Sequence, residues 1–83
     1  MTEVDPLGPE FAYVQVANAL AASIQAGEIT GRLPAERELA VWFGVSYQTL
    51  RHSIGVLRER GLVVTRLGRG SFVTRLARPE PPS

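Results

Sequence analysis

Residues 34–61 read PAERELAVWFGVSYQTLRHSIGVLRERG, and two helices are written into them. Pro34 suits a helix entrance, where its missing N–H donor would be unpaired anyway. Glu36 and Glu38 follow in the first turn, at the positive end of the helix dipole. Leu39 and Phe43 lie four apart with Trp42 adjacent. This predicts a helix over 35–43 whose apolar side carries Trp42 and Phe43 into the core, ended by Gly44. After only Gly44 and Val45, Ser46 is a good cap for a second helix. Leu50, Ile54 and Leu57 keep the helical period as far as Arg60, and Gly61 stops it. Two short helices joined by a brief turn containing glycine form a helix-turn-helix pattern.

Upstream, Tyr13, Ala17, Leu20 and Ile24 fall at spacings of four, three and four, one face of a helix that begins near Glu10. Gly27 is its natural stop, and EITGRLP (28–34) is a linker compatible with one extended segment before Pro34. Beyond Gly61 the period changes. LVVTR (62–66) and SFVTR (71–75) are β-rich runs separated by Leu67-Gly68-Arg69-Gly70, a glycine-containing hairpin loop. Residues 1–9, MTEVDPLGP, read as a disordered leader, and 76–83, LARPEPPS, as a proline-rich tail or linker. One domain is expected over 10–75. Its class is α+β, mainly α: a winged helix-turn-helix of three helices followed by a two-stranded β-hairpin, the wing.

Composition narrows the function. The chain has 83 residues, enough for a single small domain, and no Cys, which removes a disulfide framework and a thiolate zinc site. One His leaves no histidine-rich metal cage. A hydrophobic fraction of 45% with 20% charged residues is that of a globular chain. No apolar run approaches the roughly 18–20 residues of a membrane span. The first basic residue is Arg32, so a positively charged secretory start is missing, and a cytoplasmic protein is expected. The net charge of +1 hides an asymmetry. Residues 1–38 carry six acids against two arginines, a net −4, and residues 39–83 carry seven arginines against two acids, a net +5. Such asymmetry points to a polyanion partner.

No catalytic constellation stands out. His52 is the only His, and Asp5, the only Asp, lies in the leader, so a serine triad is improbable. Gly68-Arg69-Gly70 lacks the spacing of a phosphate loop, and the chain has no Lys. No cofactor and no metal are expected. At 100° per residue, Gln48, Arg51, His52 and Gly55 lie within about 100° of one another, away from the Leu50–Ile54–Leu57 seam. In a helix-turn-helix the N-terminal part of such a face enters the major groove. Arginine can take both acceptors of guanine, and glutamine can pair with adenine. Gly55 removes bulk that would hold the helix off a duplex. In the hairpin, Gly68 and Gly70 fit an ordinary polar turn, and they fit equally well a backbone that approaches closely while Arg69 projects toward the negative potential of a narrow minor groove.

Several stretches in order resemble the DNA-binding domain of the gluconate-repressor (GntR) family of bacterial transcription regulators, over about residues 11–75. They are the tyrosine-led helix from Tyr13, LPAERELA (33–40), FGVS (43–46), TLR (49–51), Leu57 through Val63, and the wing GRGSFV (68–73). The resemblance implies a sequence-specific double-stranded DNA-binding regulator, a repressor by family habit. It implies that Arg37 touches the DNA backbone, that Ser46, Gln48, Thr49 and Arg51 belong to the recognition helix, and that Gly68 and Arg69 form the wing tip. Tyr47 stands where the family commonly has arginine. Its ring either faces DNA, against a thymine methyl with the hydroxyl toward a phosphate, or packs partly on the domain without a base contact. Ala35 stands where many members have a capping serine, a modest loss of helix stability. A palindromic operator bound by two copies is implied, with the chain monomeric when free. Larger members carry a C-terminal domain that binds an effector, so no effector is expected on this segment. The rival is a winged helix used as a protein–protein interaction module, which predicts weak, salt-insensitive DNA binding.

Overall fold

The computed structural model describes residues 11–74. Three helices, α1 (Ala12–Gln25), α2 (Glu36–Phe43) and α3 (Tyr47–Glu59), precede two strands, β1 (Val63–Arg66) and β2 (Gly70–Val73). The expected leader at 1–9 and tail at 76–83 lie outside the described residues, as do Glu10 and Arg75.

α1 buries Val16, Ala17, Leu20 and Ile24 completely, while Tyr13, at the head of the expected stripe, is half-buried. Its end is closed by two backbone bonds, Gly27 N–H to Ile24 carbonyl at 3.1 Å and Glu28 N–H to Ser23 carbonyl at 2.9 Å. This paired pattern satisfies carbonyls that the last turn leaves orphaned. α2 repeats it: Gly44 N–H reaches the Val41 carbonyl and Val45 N–H the Ala40 carbonyl, both at 3.1 Å. Gly44 sits at φ 65°, in the left-handed region that favours glycine. The chain therefore reverses within two residues, and α3 starts at once. At the other end of α2, the Ala35 cap makes no side-chain hydrogen bond. Ser46 does cap α3: its Oγ accepts from the Thr49 N–H at 3.0 Å.

α3 lies against α1 and α2 with Leu50, Ile54 and Leu57 at 1% exposure or less. Ser53 is fully buried on the same side, its hydroxyl 2.8 Å from the Tyr13 carbonyl and 3.0 Å from the Thr49 carbonyl. A buried hydroxyl needs such a partner, and this one ties α3 to the first turn of α1.

β1 and β2 pair antiparallel, with Val63 opposite Val73 and Arg66 opposite Gly70. The loop is therefore the three residues Leu67-Gly68-Arg69, one fewer than expected, and Gly70 belongs to β2. The linker contributes the extended piece. Arg32 bridges Phe72, the Leu33 N–H donates to the Ser71 carbonyl at 2.8 Å, and the Val73 N–H donates to the Gly31 carbonyl at 2.7 Å. β2 is thus bonded on both of its edges, to β1 and to the linker, and Val63 and Val73 enter the helical core.

One expectation fails. Phe43 is 2% exposed, but Trp42 is 62% exposed and Val41 more so. α2 has only eight residues and rests on one layer, so its buried stripe is Leu39, Ala40 and Phe43. Trp42 lies about 100° from Phe43 on the wheel and misses that stripe. Phe43→Ala is expected to cost about 3–5 kcal/mol of stability, whereas Trp42→Ala stays within roughly 1 kcal/mol of the parent. Urea melts decide this, and equal losses would return Trp42 to the core.

Candidate nucleic-acid interface

Burial of the α3 seam turns Tyr47, Gln48, Arg51, His52 and Arg58 outward, all of them exposed. The N-terminal half of that face meets α2. Arg37, exposed on the first turn of α2, holds its guanidinium carbon 4.7 Å from the centre of the Tyr47 ring. The Arg51 guanidinium lies 5.9 Å from the same centre. Tyr47 is 38% exposed. Its ring is neither in the core nor free, since two cations are within reach of its π cloud. Arg51 also faces Glu36, with Nε 3.7 Å from Oε2.

Further along, a depression lined by Glu36, Gln48, Arg51, Arg58 and Thr65 joins α3 to β1. Arg58 donates to the Thr65 hydroxyl at 2.9 Å, and that hydroxyl is 3.0 Å from the Ser71 Oγ. A second depression, lined by Arg32, Arg37, Tyr47 and Gly70, among others, joins α2 to β2. Arg32 lies along the wing here. A Cβ on Gly70 would stand 3.1 Å from the Arg32 Nε, and Gly70 has φ 105°. Glycine at 70 is therefore required by its own backbone, whereas the exposed Arg32 side chain could shift to admit a Cβ. At the wing tip Leu67, Gly68 and Arg69 are exposed.

Most of the residues singled out in the sequence do converge. Arg37, Tyr47, Gln48 and Arg51 form one surface, which Gly70 borders through the depression it shares with Arg37 and Tyr47, while Gly68 and Arg69 stand exposed at the wing tip. Ser46 and Thr49 sit at its edge but are occupied structurally. The Ser46 hydroxyl donates to the Thr49 Oγ1 at 2.8 Å while capping the helix. His52 is drawn aside: its ring stacks on Tyr13 of α1, with centroids 3.7 Å apart and planes at 9°. Arg32, Arg58 and Thr65 were missed. Arg58 stands seven residues after Arg51, two helical turns along the same face, and that spacing could have found it. Arg32 gave no local signal, because the pairing of the linker with β2 positions it.

The family model for bacterial regulatory proteins of the gntR family matches residues 12–73. This chain belongs to that family. The HTH-type transcriptional regulator Rv0792c of Mycobacterium tuberculosis is 44% identical over 64 residues, 75% of this chain and 24% of that protein. The HTH-type transcriptional repressor NagR of Bacillus subtilis is 38% identical over 65 residues, 76% of this chain and 27% of that protein. The chain thus spans about a quarter of the length of these curated relatives. Among solved structures, the AraR DNA-binding domain in complex with operator ORE1 is 40% identical with a TM-score of 0.73, covering 83% of this chain and 90% of that one. The three helices and the hairpin are therefore the winged helix of the gntR family. Among the described residues no helix is long and apolar enough to cross a membrane.

The Tyr13–His52 stack can be weighed directly. A double-mutant cycle with Tyr13→Ala and His52→Ala, read by thermal melting, is expected to give a coupling of about 0.5–1.5 kcal/mol. A coupling near zero would leave the His52 ring free to turn toward a groove.

Proposed function

We propose that this chain binds double-stranded DNA sequence-specifically and regulates transcription, as a repressor. The observation that carries the proposal is the convergence of Arg32, Arg37, Arg51 and Arg58 around the two depressions between α2, α3 and the hairpin. That surface carries the exposed face of α3 and is bordered by the hairpin, the arrangement of a major-groove reader with a wing. The operator complex of AraR supports this partner, and the repressor NagR supports the sign of regulation.

The roles divide by position. The N-terminal part of α3 enters the major groove, where Arg51 takes guanine and Gln48 takes adenine. Arg37 contacts a phosphate and also holds Tyr47. Tyr47 offers its uncovered edge to the groove wall, with Ser46 and Thr49 fixing the helix start beneath it and His52 bordering the contact. Arg69, between Gly68 and Gly70, enters the adjacent minor groove. Gly55 keeps the middle of α3 low. A Cβ there would meet only the Arg58 Nη2, at 3.6 Å, so nothing inside the domain requires glycine. The binding unit is residues 10–75, in the cytoplasm, monomeric when free. Two copies occupy a palindromic operator, and no effector binds this segment.

A second reading has its own observation. The exposed Trp42 and Val41, beside Pro34, Arg37 and Glu38, make an apolar patch on α2, and such patches serve protein partners. In that reading DNA binding is weak and insensitive to salt.

One titration series separates the two. If about four to six phosphates are neutralised, the log–log slope of affinity against salt is about −4 to −5. Arg51→Ala then costs about 1–3 kcal/mol on the best site selected from random DNA and relaxes one base position. Arg37→Ala weakens all sequences alike, since a phosphate contact carries no sequence information. A slope near −1 on the best site removes the DNA-binding reading.

A further inference from the structure

Glu36 is out of place on an arginine-rich face. It is the carboxylate common to both depressions beside α3. Its Oε2 is buried and makes no hydrogen bond, and the Arg51 Nε lies 3.7 Å away. A carboxylate oxygen withdrawn from water without a donor is costly, and facing a duplex it also repels phosphate. As the first residue of α2 it favours the helix dipole, but Glu38 in the same turn does so too. The helix therefore does not explain why this oxygen is turned inward toward Arg51.

Arginine presents five donors in a flat fork, and a partner on Nε leaves the two terminal nitrogens free as a pair. That pair matches the O6 and N7 acceptors of guanine. The Arg51 side chain is 66% exposed, so without a tether it would sample many rotamers and reach phosphates as readily as bases. Two groups stand beside it: the Glu36 carboxylate, 3.7 Å from Nε, and the Tyr47 ring, whose centre is 5.9 Å from the guanidinium carbon. We infer that Glu36 is a specificity-determining residue: its carboxylate holds the Arg51 fork for base recognition and repels the backbone contacts that would bind any sequence. The inference rests on the DNA-binding reading above and adds the residue that turns an attractive arginine into a selective one. Glu36 acts through Arg51 and is a positioning residue.

The test compares a duplex selected from random DNA by the wild-type chain with the same duplex changed at the base pair whose preference Arg51→Ala abolishes. Affinities for both, and for a pool of random-sequence duplexes, are measured by fluorescence anisotropy. Glu36→Gln keeps the shape and removes the charge. It is expected to reduce the ratio of the two affinities about five- to ten-fold, while binding to the random pool strengthens about two- to three-fold as a repulsive charge is lost. Glu36→Asp withdraws the carboxylate by one methylene, so the ratio falls and random-pool binding stays level. In an Arg51→Ala background, Glu36→Gln should alter the ratio less than about two-fold, because the group it positions is gone. An unchanged ratio in both single variants overturns the inference. So does a parallel loss on every duplex with a lowered melting temperature, which would make Glu36 a helix-stabilising residue only. A wild-type chain that prefers no sequence overturns the DNA-binding reading itself, and is distinguished from those results by the wild-type arm alone.

Discussion

The rotation of α3 is set by three buried side chains, and the rest of the molecule depends on it. Leu50, Ile54 and Leu57 sit at 1% exposure or less, each worth about 1.5–3 kcal/mol when removed from water. Rotating the helix by one residue toward its C-terminal neighbours would expose this seam and turn Arg51 and Arg58 inward, two charges that are costly to withdraw from water. The hydrophobic requirement therefore also decides the chemistry of the outer face. Ser53, buried on the same side and bonded to α1, adds a directional lock to a seam that is otherwise only apolar.

Where α3 begins is a separate constraint, and backbone polar groups decide it. The carbonyls of Ala40 and Val41 are taken by the N–H groups of Val45 and Gly44, so the last turn of α2 is tied into the reversal. Ser46 then takes an orphan donor at the start of α3. With both ends bonded inside a reversal this short, the two helices have little freedom to change their angle. This is why Arg37 from α2 and Tyr47 and Arg51 from α3 meet at fixed separations. The ring between two guanidinium groups stores their mutual repulsion in a compact arrangement, and a polyanion approaching from outside would relieve it.

The helices were legible in the sequence because each is bracketed by local signals: Pro34 and Gly44 around α2, Ser46 and Gly61 around α3, and a clean four-three-four spacing within α1. The wing was legible as a pair of β-rich runs, yet the boundary of its loop was not. Gly70 fits a turn or a strand equally well, and only its pairing with Arg66 assigns it. Trp42 was misread because a large aromatic beside Phe43 looks like core, whereas a two-turn helix against one layer buries only a narrow stripe. The partners of His52 and Arg32 lie 39 and 40 positions away, at Tyr13 and Phe72. No window along the chain contains such contacts. The pairing of Glu36 with Arg51 is of the same kind, formed by two helices whose angle the sequence pattern does not specify.

On the proposed function, one face, built by α2, α3 and the wing, meets DNA. Titrating the isotope-labelled chain with a duplex it has selected, and following every backbone amide and the Trp42 indole by NMR, tests that claim residue by residue. The largest shifts are expected at Arg37, Tyr47, Gln48, Arg51, Arg58 and Arg69, with the exposed Ala22 and Gln25 of α1 unmoved. Shifts concentrated at Val41 and the Trp42 indole, with Arg51 and Arg69 silent, would contradict it and move the functional surface to the apolar patch on α2.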